Sequence, residues 1–375
     1  MVDSNCEVSV LCTTYNQSIY LEQTLESILC QKVDFPYELI IHDDASIDGT
    51  DAIAREYETR YPEIVRVIIE SENQYSKGAD FITPLIRNHA RGRYIALCEG
   101  DDFWIDDQKM QMQRDALRDH PECDMCACLG CTVTEDGRTE VSQIRPQKHD
   151  GILSVRDVIL GGGQYLITAG LFFRKEMLDD LYGMDSLDYS LQIRGAVRGG
   201  IYYIDKKMAV YRRYAKGSWT INVLMKKQEL EKEWEKEREL LNKFDKNTGY
   251  MYHDAISERM KSYKPFEDQL SEYRKEIQVL LQTCEHPVYI WGMGRRGSSL
   301  EVYCKRNGLK IDGICDVVNT RIGEMTECEN KIISTLFALR DGKTILASNR
   351  FAYEDILKTE YAGRLIDFQE YMPYG

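Results

Sequence analysis

An α/β fold is predicted by three features of residues 1–120. Short apolar, β-branched runs alternate with segments of helical periodicity; the runs stop at polar or acidic turns; and the composition is that of a packed chain. The 375 residues are 43% hydrophobic and 29% charged, enough for two domains and a sizeable core and unlike a disordered profile. Strands alternating with helices fold as a mostly parallel sheet. In such sheets ligands sit off the carboxyl ends of the strands.

The elements follow in order. Residues 8–12 form a β-branched apolar run ending in the polar turn Thr13-Thr14-Tyr15-Asn16. Residues 20–29 place Leu21, Leu25 and Ile28 at helical spacing. A second strand at 38–41 is closed by His42-Asp43-Asp44-Ala45-Ser46. Asp48-Gly49-Thr50 then opens a helix with Ala52, Ile53 and Tyr57 expected on one face, an Asp or Thr suiting its N-cap. Residues 64–69 are a third strand. Residues 94–97 are a fourth, running into Cys98-Glu99-Gly100-Asp101-Asp102. Further on, 202–204 and 208–211 read as short strands. From about residue 222 to 281 the sequence is rich in Glu and Lys at i,i+4 spacing, which supports an exposed helix. A coiled-coil seam would allow a homo-oligomer, but the apolar a/d pattern is too broken to favour one. Strands at 288–291, 311–314 and 344–348, with a glycine-rich turn after the first, complete a Rossmann-like unit. The expected organisation is a catalytic α/β domain at 1–220, a helical connector at 221–285 and the Rossmann-like domain at 286–375.

Composition excludes some functions. The net charge of −14 argues against nucleic-acid binding, which needs a basic face. A phosphate-bearing substrate would need positive charge supplied locally, by a metal ion or a few arginines. No apolar run approaches the roughly 18 to 20 residues that span a bilayer. Residues 1–16 show no signal-peptide pattern, so a cytoplasmic location is expected. The 12 cysteines are spread along the chain and read as reduced thiols. Cys123, Cys126, Cys128 and Cys131 have a metal-like spacing without the longer loop of a zinc site; a buried strand ending at Glu135-Asp136-Gly137 is the simpler reading.

The chemistry is carried by acids at consecutive strand ends: Asp43, Asp44 and Asp48 after the second strand, Glu99, Asp101 and Asp102 after the fourth. Carboxylates packed this closely repel one another unless a cation lies among them. Hard oxygen donors at a strand end suit Mg²⁺ or Mn²⁺ shared with substrate phosphates. Asp48 also fits a helix-capping role.

The pattern VSVLCTTYN, ELIIHDDASIDGT, YIALCEGDDFW closely resembles family 2 glycosyltransferases of the GT-A fold, over roughly residues 6–220. The resemblance implies inverting transfer of a sugar from a nucleotide-sugar donor, commonly a UDP-sugar, to a saccharide or lipid-linked saccharide acceptor in bacterial surface glycan synthesis. A lipid-linked acceptor would bring peripheral contact with the inner membrane face. Thr13 and Tyr15 then look like nucleotide contacts, and Asp44 like the acid that hydrogen-bonds the base. Glu99-Gly100-Asp101 stands where the family carries its Asp-x-Asp motif. Asp101 would bind the Mn²⁺ or Mg²⁺ that bridges the diphosphate, and Asp102 would touch the metal shell or the donor sugar. A sugar hydroxyl needs a general base; Leu187-Asp188-Tyr189-Ser190-Leu191 resembles the segment that supplies it, which points to Asp188, with Asp185 as the fallback. Asp188 also fits a helix N-cap, and the two roles are compatible. Arg212 or Arg213, in the segment resembling the family's closing strand, would offset diphosphate charge. Relatives carry a His near the position of Tyr214, which cannot ligate a metal in the same way. Trp219 fits stacking on a sugar or a core position equally. Gly161-Gly162-Gly163-Gln164-Tyr165 would shape the acceptor side.

Gly292-Met293-Gly294-Arg295-Arg296-Gly297 follows a strand and opens a helix, as dinucleotide sites do, and Asp316 lies about 20 residues on, where a ribose-binding acid would sit. The same glycines serve helix–strand packing. Two other functions compete with the leading one: a bifunctional chain whose C-terminal module handles a dinucleotide or nucleotide-sugar, and a non-catalytic glycan-binding subunit. The joint presence of Asp44, Asp101 and Asp188 argues against the latter.

Overall fold

The computed structural model describes residues 6–77, 82–179, 182, 184, 188–213, 215–216, 227–292, 295–316, 322–326, 328–348 and 362–371. It has two compact units, Met1–Glu258 and Arg259–Gly375. Their division falls inside the long helical stretch at 227–283, so that stretch is shared between the units.

The first unit runs β1 (Val8–Thr14), α1 (Leu21–Leu29), β2 (Tyr37–Asp43), α2 (Thr50–Arg60), β3 (Val65–Ile69), α3 (Ile82–His89), β4 (Tyr94–Leu97), β5 (Phe103–Trp104), α4 (Lys109–Asp119), β6 (Met125–Val133), β7 (Glu140–Ile144), β8 (Gly151–Leu153), α5 (Val155–Gly161), β9 (Phe172–Arg174), α6 (Asp188–Val197), β10 (Ile201–Arg212) and α7 (Lys227–Asn247), then enters α8 (His253–Met260). Among the described residues its strands form one sheet in the order β3-β2-β1-β4-β9-β6-β10-β5, with β7 on β6 and β8 on β10. β3, β2, β1 and β4 are parallel, with Val8 opposite both Tyr37 and Tyr94 and Thr14 opposite Asp43. Their carboxyl ends therefore open on one edge. β9 runs antiparallel to β4 and β6, which turns the sheet from a parallel to a mixed one.

The expected helices and strands have simple causes. In α1 Leu21, Leu25 and Ile28 are fully buried and pack with Val8, Val10 and Leu39 in one core. Ser154 and Asp157 form a reciprocal capping box that starts α5. Every residue of β6 is buried, so Cys126, Cys128 and Cys131 lie in a core strand and Cys123 is buried just before it, all four as free thiols. Two details differ from expectation. α2 buries Thr50, Ala54 and Tyr57 and leaves Ala52 exposed, a face rotated from the one expected, because Tyr57 rather than the small residues sets which side meets the sheet. The two short strands expected at 202–204 and 208–211 are one strand, β10, whose pairing with β6 shifts register on either side of Lys207. The bulges carry the charged Asp205-Lys206-Lys207 run without breaking the strand.

The second unit includes α9 (Phe266–Glu272), α10 (Arg274–Thr283), β11 (Val288–Trp291), α11 (Arg295–Arg306), β12 (Gly313–Asp316), β13 (Ile332–Ser334), α12 (Thr335–Asp341), β14 (Thr344–Ala347) and β15 (Leu365–Asp367). Its strands form a parallel sheet in the order β13-β12-β11-β14-β15. Gly297 explains one glycine of the turn: a β-carbon there would lie 1.7 Å from the Gly292 carbonyl oxygen, so the start of α11 can approach the turn only without a side chain. Gly294 lies outside the described residues. Among the described residues no helix is long and apolar enough to cross a membrane.

Candidate active site

The carboxyl ends of β1, β2 and β4 bring the expected loops together, and backbone bonds lock them. The Asp44 N–H donates to Thr14 O at 2.9 Å, and the Gly100 N–H to Thr13 O at 2.8 Å. Gly100 is required by proximity: a β-carbon there would lie 2.6 Å from both Gln17 Oε1 and Thr14 Oγ1. The loop after β1 is tied to the one after β2, because the Asn16 N–H donates to Ser46 Oγ, the Ile47 N–H to Asn16 Oδ1 and the Gln17 N–H to Thr50 Oγ1. On this frame Thr13 is half-buried and Tyr15 stands 45% exposed beside it, a ring open to stacking.

The acids of the β2 loop divide by role. Asp43 accepts from the Ser46 N–H and hydroxyl, and burial pushes its pKa up. Asp48 accepts from Thr50 Oγ1 at 2.5 Å and from the amides of Thr50 and Ser18, bonds that outweigh its burial and hold its pKa down; it ties the loop at the start of α2, but the N-cap itself is Gly49 rather than the expected Asp or Thr. Asp44 is buried, and its two oxygens accept from the amides of Gln74 and Tyr75 at 2.6 and 3.0 Å. It therefore fixes the loop at 73–77 with its carboxylate. Each carboxylate oxygen keeps a further lone pair.

The acidic turn after β4 is the most perturbed part of the molecule. Burial pushes Asp101 up to about 6, against the pull of its backbone N–H, Arg212 and Gln17. Asp102 is fully buried, and burial followed by the Asp101 charge raises its pKa well above the carboxylate range. Its Oδ1 accepts from the Arg212 N–H at 2.9 Å, while its Oδ2 is buried without a hydrogen-bond partner. Half-buried Glu99 is raised by desolvation and then by the charges of Asp188, Asp102 and Asp101. Asp188, at the head of α6, thus faces the same cleft. It keeps an exposed surface, but the protein packed around its carboxyl withholds hydration and raises its pKa, against the pull of the Thr168 hydroxyl, which donates to Oδ2 at 2.9 Å.

Arg212 is placed differently from expectation. It is 2% exposed. Its Nε donates to Asp101 O, one terminal nitrogen to Glu135 O and the other to Gln23 Oε1, at 2.8 to 2.9 Å. The guanidinium lies 4.7 Å from the Tyr20 ring centroid and 5.2 Å from that of Phe103. Enclosed in this way, it does not offer itself to a diphosphate; it braces the acidic turn and draws the pKa values of Asp101 and Asp102 down. Asp185, Tyr214 and Trp219 lie outside the described residues. The sequence reading had no signal for Thr168, Gln17 or the amides of Gln74 and Tyr75, which are ordinary polar groups made relevant only by what the fold sets beside them.

The donor set fits a hard divalent cation. It offers one buried carboxylate oxygen with no hydrogen-bond partner, Asp102 Oδ2, next to Asp101, in a turn where Arg212 offsets only part of the carboxyls' charge. Among the described residues no three His, Cys, Asp or Glu side chains are placed to hold an ion alone. An ion here would share its coordination with substrate phosphates, as Mg²⁺ does where one or two carboxylates hold it.

Residues 9–182 match the family model for glycosyl transferase family 2. An uncharacterized protein of Mycobacterium tuberculosis is 37% identical over 213 residues, which are 56% of this chain and 60% of that one. The putative teichuronic acid biosynthesis glycosyltransferase TuaG of Bacillus subtilis is 38% identical over 101 residues, 27% of this chain and 38% of TuaG. Residues 1–349 of Staphylococcus aureus TarS, solved with UDP-GlcNAc, align over 80% of this chain and 92% of that one, but at 16% identity and a TM-score of 0.45, too loose a likeness to place a ligand. The chain thus spans 60% of the length of its mycobacterial relative. By its motifs, its sheet and this match, the segment at residues 9–182 is similar to glycosyl transferase family 2, on a mixed α/β sheet of the GT-A type.

Proposed function

We propose that the protein is an inverting glycosyltransferase that moves a sugar from a nucleotide-sugar, a UDP-sugar in the leading case, to a saccharide acceptor in glycan synthesis. The observation that carries the reading is the convergence of Tyr15, Asp44, Glu99, Asp101 and Asp102 on one edge of the sheet, inside the region that matches family 2, with Asp188, just beyond that region, facing the same cleft. Tyr15 offers an open ring to the base, and Asp44, already fixing the 73–77 loop, keeps acceptor capacity for a base N–H.

A Mn²⁺ or Mg²⁺ ion held at Asp101, with Asp102 beside it, would supply charge for the departing diphosphate. Asp188 takes the proton from the attacking hydroxyl, and its raised pKa brings it nearer the operating pH, as a general base requires. The attack opposite the leaving group inverts the anomeric carbon. Arg212 acts from behind, holding Asp101 and Asp102 in place. A lipid-linked acceptor would bring the protein to the inner membrane face.

The test is release of nucleoside diphosphate from a panel of nucleotide sugars with Mn²⁺. Turnover should disappear in Asp101→Ala and in Asp188→Asn. If no sugar nucleotide turns over or binds, and Asp101→Ala behaves as wild type, the protein is not a transferase of this kind.

A further inference from the structure

Asp188 does not stand alone at the head of α6. Its Oδ2 accepts from the Thr168 hydroxyl at 2.9 Å, and Thr168 opens a short 3-10 turn, Thr168–Gly170. Two side chains from other elements hold that turn. The Trp104 indole N–H donates to Ala169 O at 2.8 Å. The Gln113 amide, on α4, donates to Gly170 O at 2.7 Å. Both side chains are buried, Trp104 at 4% and Gln113 at 0% exposure. Trp104 is itself fixed, its backbone N–H donating to Ser27 Oγ and its ring lying against Lys109 Nζ.

Trp104 follows Asp102 by two residues in the chain. The acidic turn and Asp188 are therefore joined by one continuous frame: Asp102 and Phe103 lead to Trp104, whose indole grips Ala169, and the neighbouring Thr168 grips Asp188. We infer that Thr168 is a positioning residue, which holds Asp188 by Oδ2 and leaves Oδ1 turned to the acceptor hydroxyl at a fixed place relative to the donor turn. The inference rests on the reading of Asp188 as the base.

The physical case is one of aim. A carboxylate on the first turn of a helix has two rotatable bonds and two equivalent oxygens. Proton transfer needs one oxygen within hydrogen-bond reach of the nucleophile, and misplacement by an ångström costs far more than it does in binding. A single donor from a pinned turn removes that freedom.

The test compares Thr168→Val, Thr168→Ser and Asp188→Asn in the diphosphate-release assay, with kcat and the donor KM measured separately. Valine keeps the shape and loses the hydroxyl; serine keeps the hydroxyl. The turn itself is held by backbone carbonyls, so valine should leave the melting temperature near wild type. The expected result is a fall in kcat of about 10- to 100-fold for Thr168→Val, from losing one hydrogen bond to a charged group. Its donor KM should stay within about 3-fold, and Thr168→Ser should recover most of kcat. A Thr168→Val enzyme with wild-type kcat overturns the inference even if Asp188→Asn is dead. Equal losses in valine and serine variants also overturn it, because they mean the turn has merely been disturbed. An active Asp188→Asn enzyme overturns the base assignment itself.

Discussion

Replacing Lys109 by methionine should make the protein more stable. Lys109 begins α4, is 0% exposed, and its Nζ has no hydrogen-bond partner. The nearest compensation is the Trp104 ring, whose centroid lies 4.0 Å away. Burial holds the lysine pKa below its usual value, while the neighbouring thiols Cys128, Cys98 and Cys126 pull it the other way. An unfolded lysine titrates near 10.4. Because the folded value is lower, the unfolded chain binds more protons between the two values, and stability rises with pH through that window. At pH 7 the cost cannot exceed that of neutralising the amine on folding, about 4 to 5 kcal/mol. If the charge is kept, the ammonium–indole contact returns about 2 kcal/mol. Methionine fills similar space with nothing to hydrogen-bond, so the net gain at pH 7 is about 1 to 3 kcal/mol. In a unit of this size each kcal/mol moves the melting temperature by about 2 to 4 °C. Calorimetry at pH 7 should therefore show a rise of about 2 to 12 °C, shrinking by about pH 9.5. A lower melting temperature for Lys109→Met at pH 7, or a gain that grows with pH, would mean that Nζ is charged and well paired, and the reasoning would be wrong.

Three further outcomes are expected. Asp101, pushed up to about 6 from an unfolded value near 3.9, binds more protons folded than unfolded between those values, so it weakens the free protein as pH rises through that window. Asp101→Asn should raise stability at pH 7.5 by on the order of 2 to 3 kcal/mol, with little gain at pH 4 by urea unfolding, while abolishing turnover. Arg212→Met should cost about 3 to 5 kcal/mol, since it leaves the Asp101 and Glu135 carbonyls and the Gln23 amide oxygen without their donor; Arg212→Lys should not restore it, because an ammonium cannot bridge three acceptors in one plane, and chemical denaturation reads both. Gly297→Ala should lower the stability of the second unit by about 1 to 3 kcal/mol, because the methyl would meet the Gly292 carbonyl, and limited proteolysis should cut that unit faster while diphosphate release persists.

The clustering of acids at one edge of the sheet was legible in the sequence, and the reason is geometric. In a parallel sheet all strands point one way, so a run of acids after each of two strands must share an edge once the strands are paired. The alternation of β1, α1, β2, α2, β3 and β4 was readable because each strand is a short β-branched run and each helix carries apolar residues three and four apart. What escaped was whatever depends on burial. Arg212 read as a charge on offer to a ligand, but nothing in its sequence context reveals that Tyr20, Phe103 and the Glu135 turn close around it. α2 presented small apolar residues and one tyrosine, and only packing shows that Tyr57 sets the buried face. Thr168 sits among apolar neighbours in LITAGLFF and gains its meaning from Asp188, twenty residues on. The strands β5, β8 and β9, two or three residues long, are too brief for any periodicity to announce them.

The charge distribution makes the free site and the occupied site different objects. Glu99, Asp101, Asp102 and Asp188 crowd one cleft in a protein of net charge −14, and each has its pKa raised by burial first, the other carboxylates adding to the effect at Glu99 and Asp102. Arg212 relieves only the inner part of the turn. Without a ligand the cleft lowers its energy by holding protons. A divalent cation and the diphosphate it accompanies offer an alternative, because the cation stabilises the same carboxylates in their ionised form. On the proposed function, binding would then release protons, and by linkage donor affinity would strengthen as pH rises through the neighbourhood of 6. The same acids would let such a site favour a metal–diphosphate pair over a bare anion, since a bare anion would meet four carboxyls with no cation between.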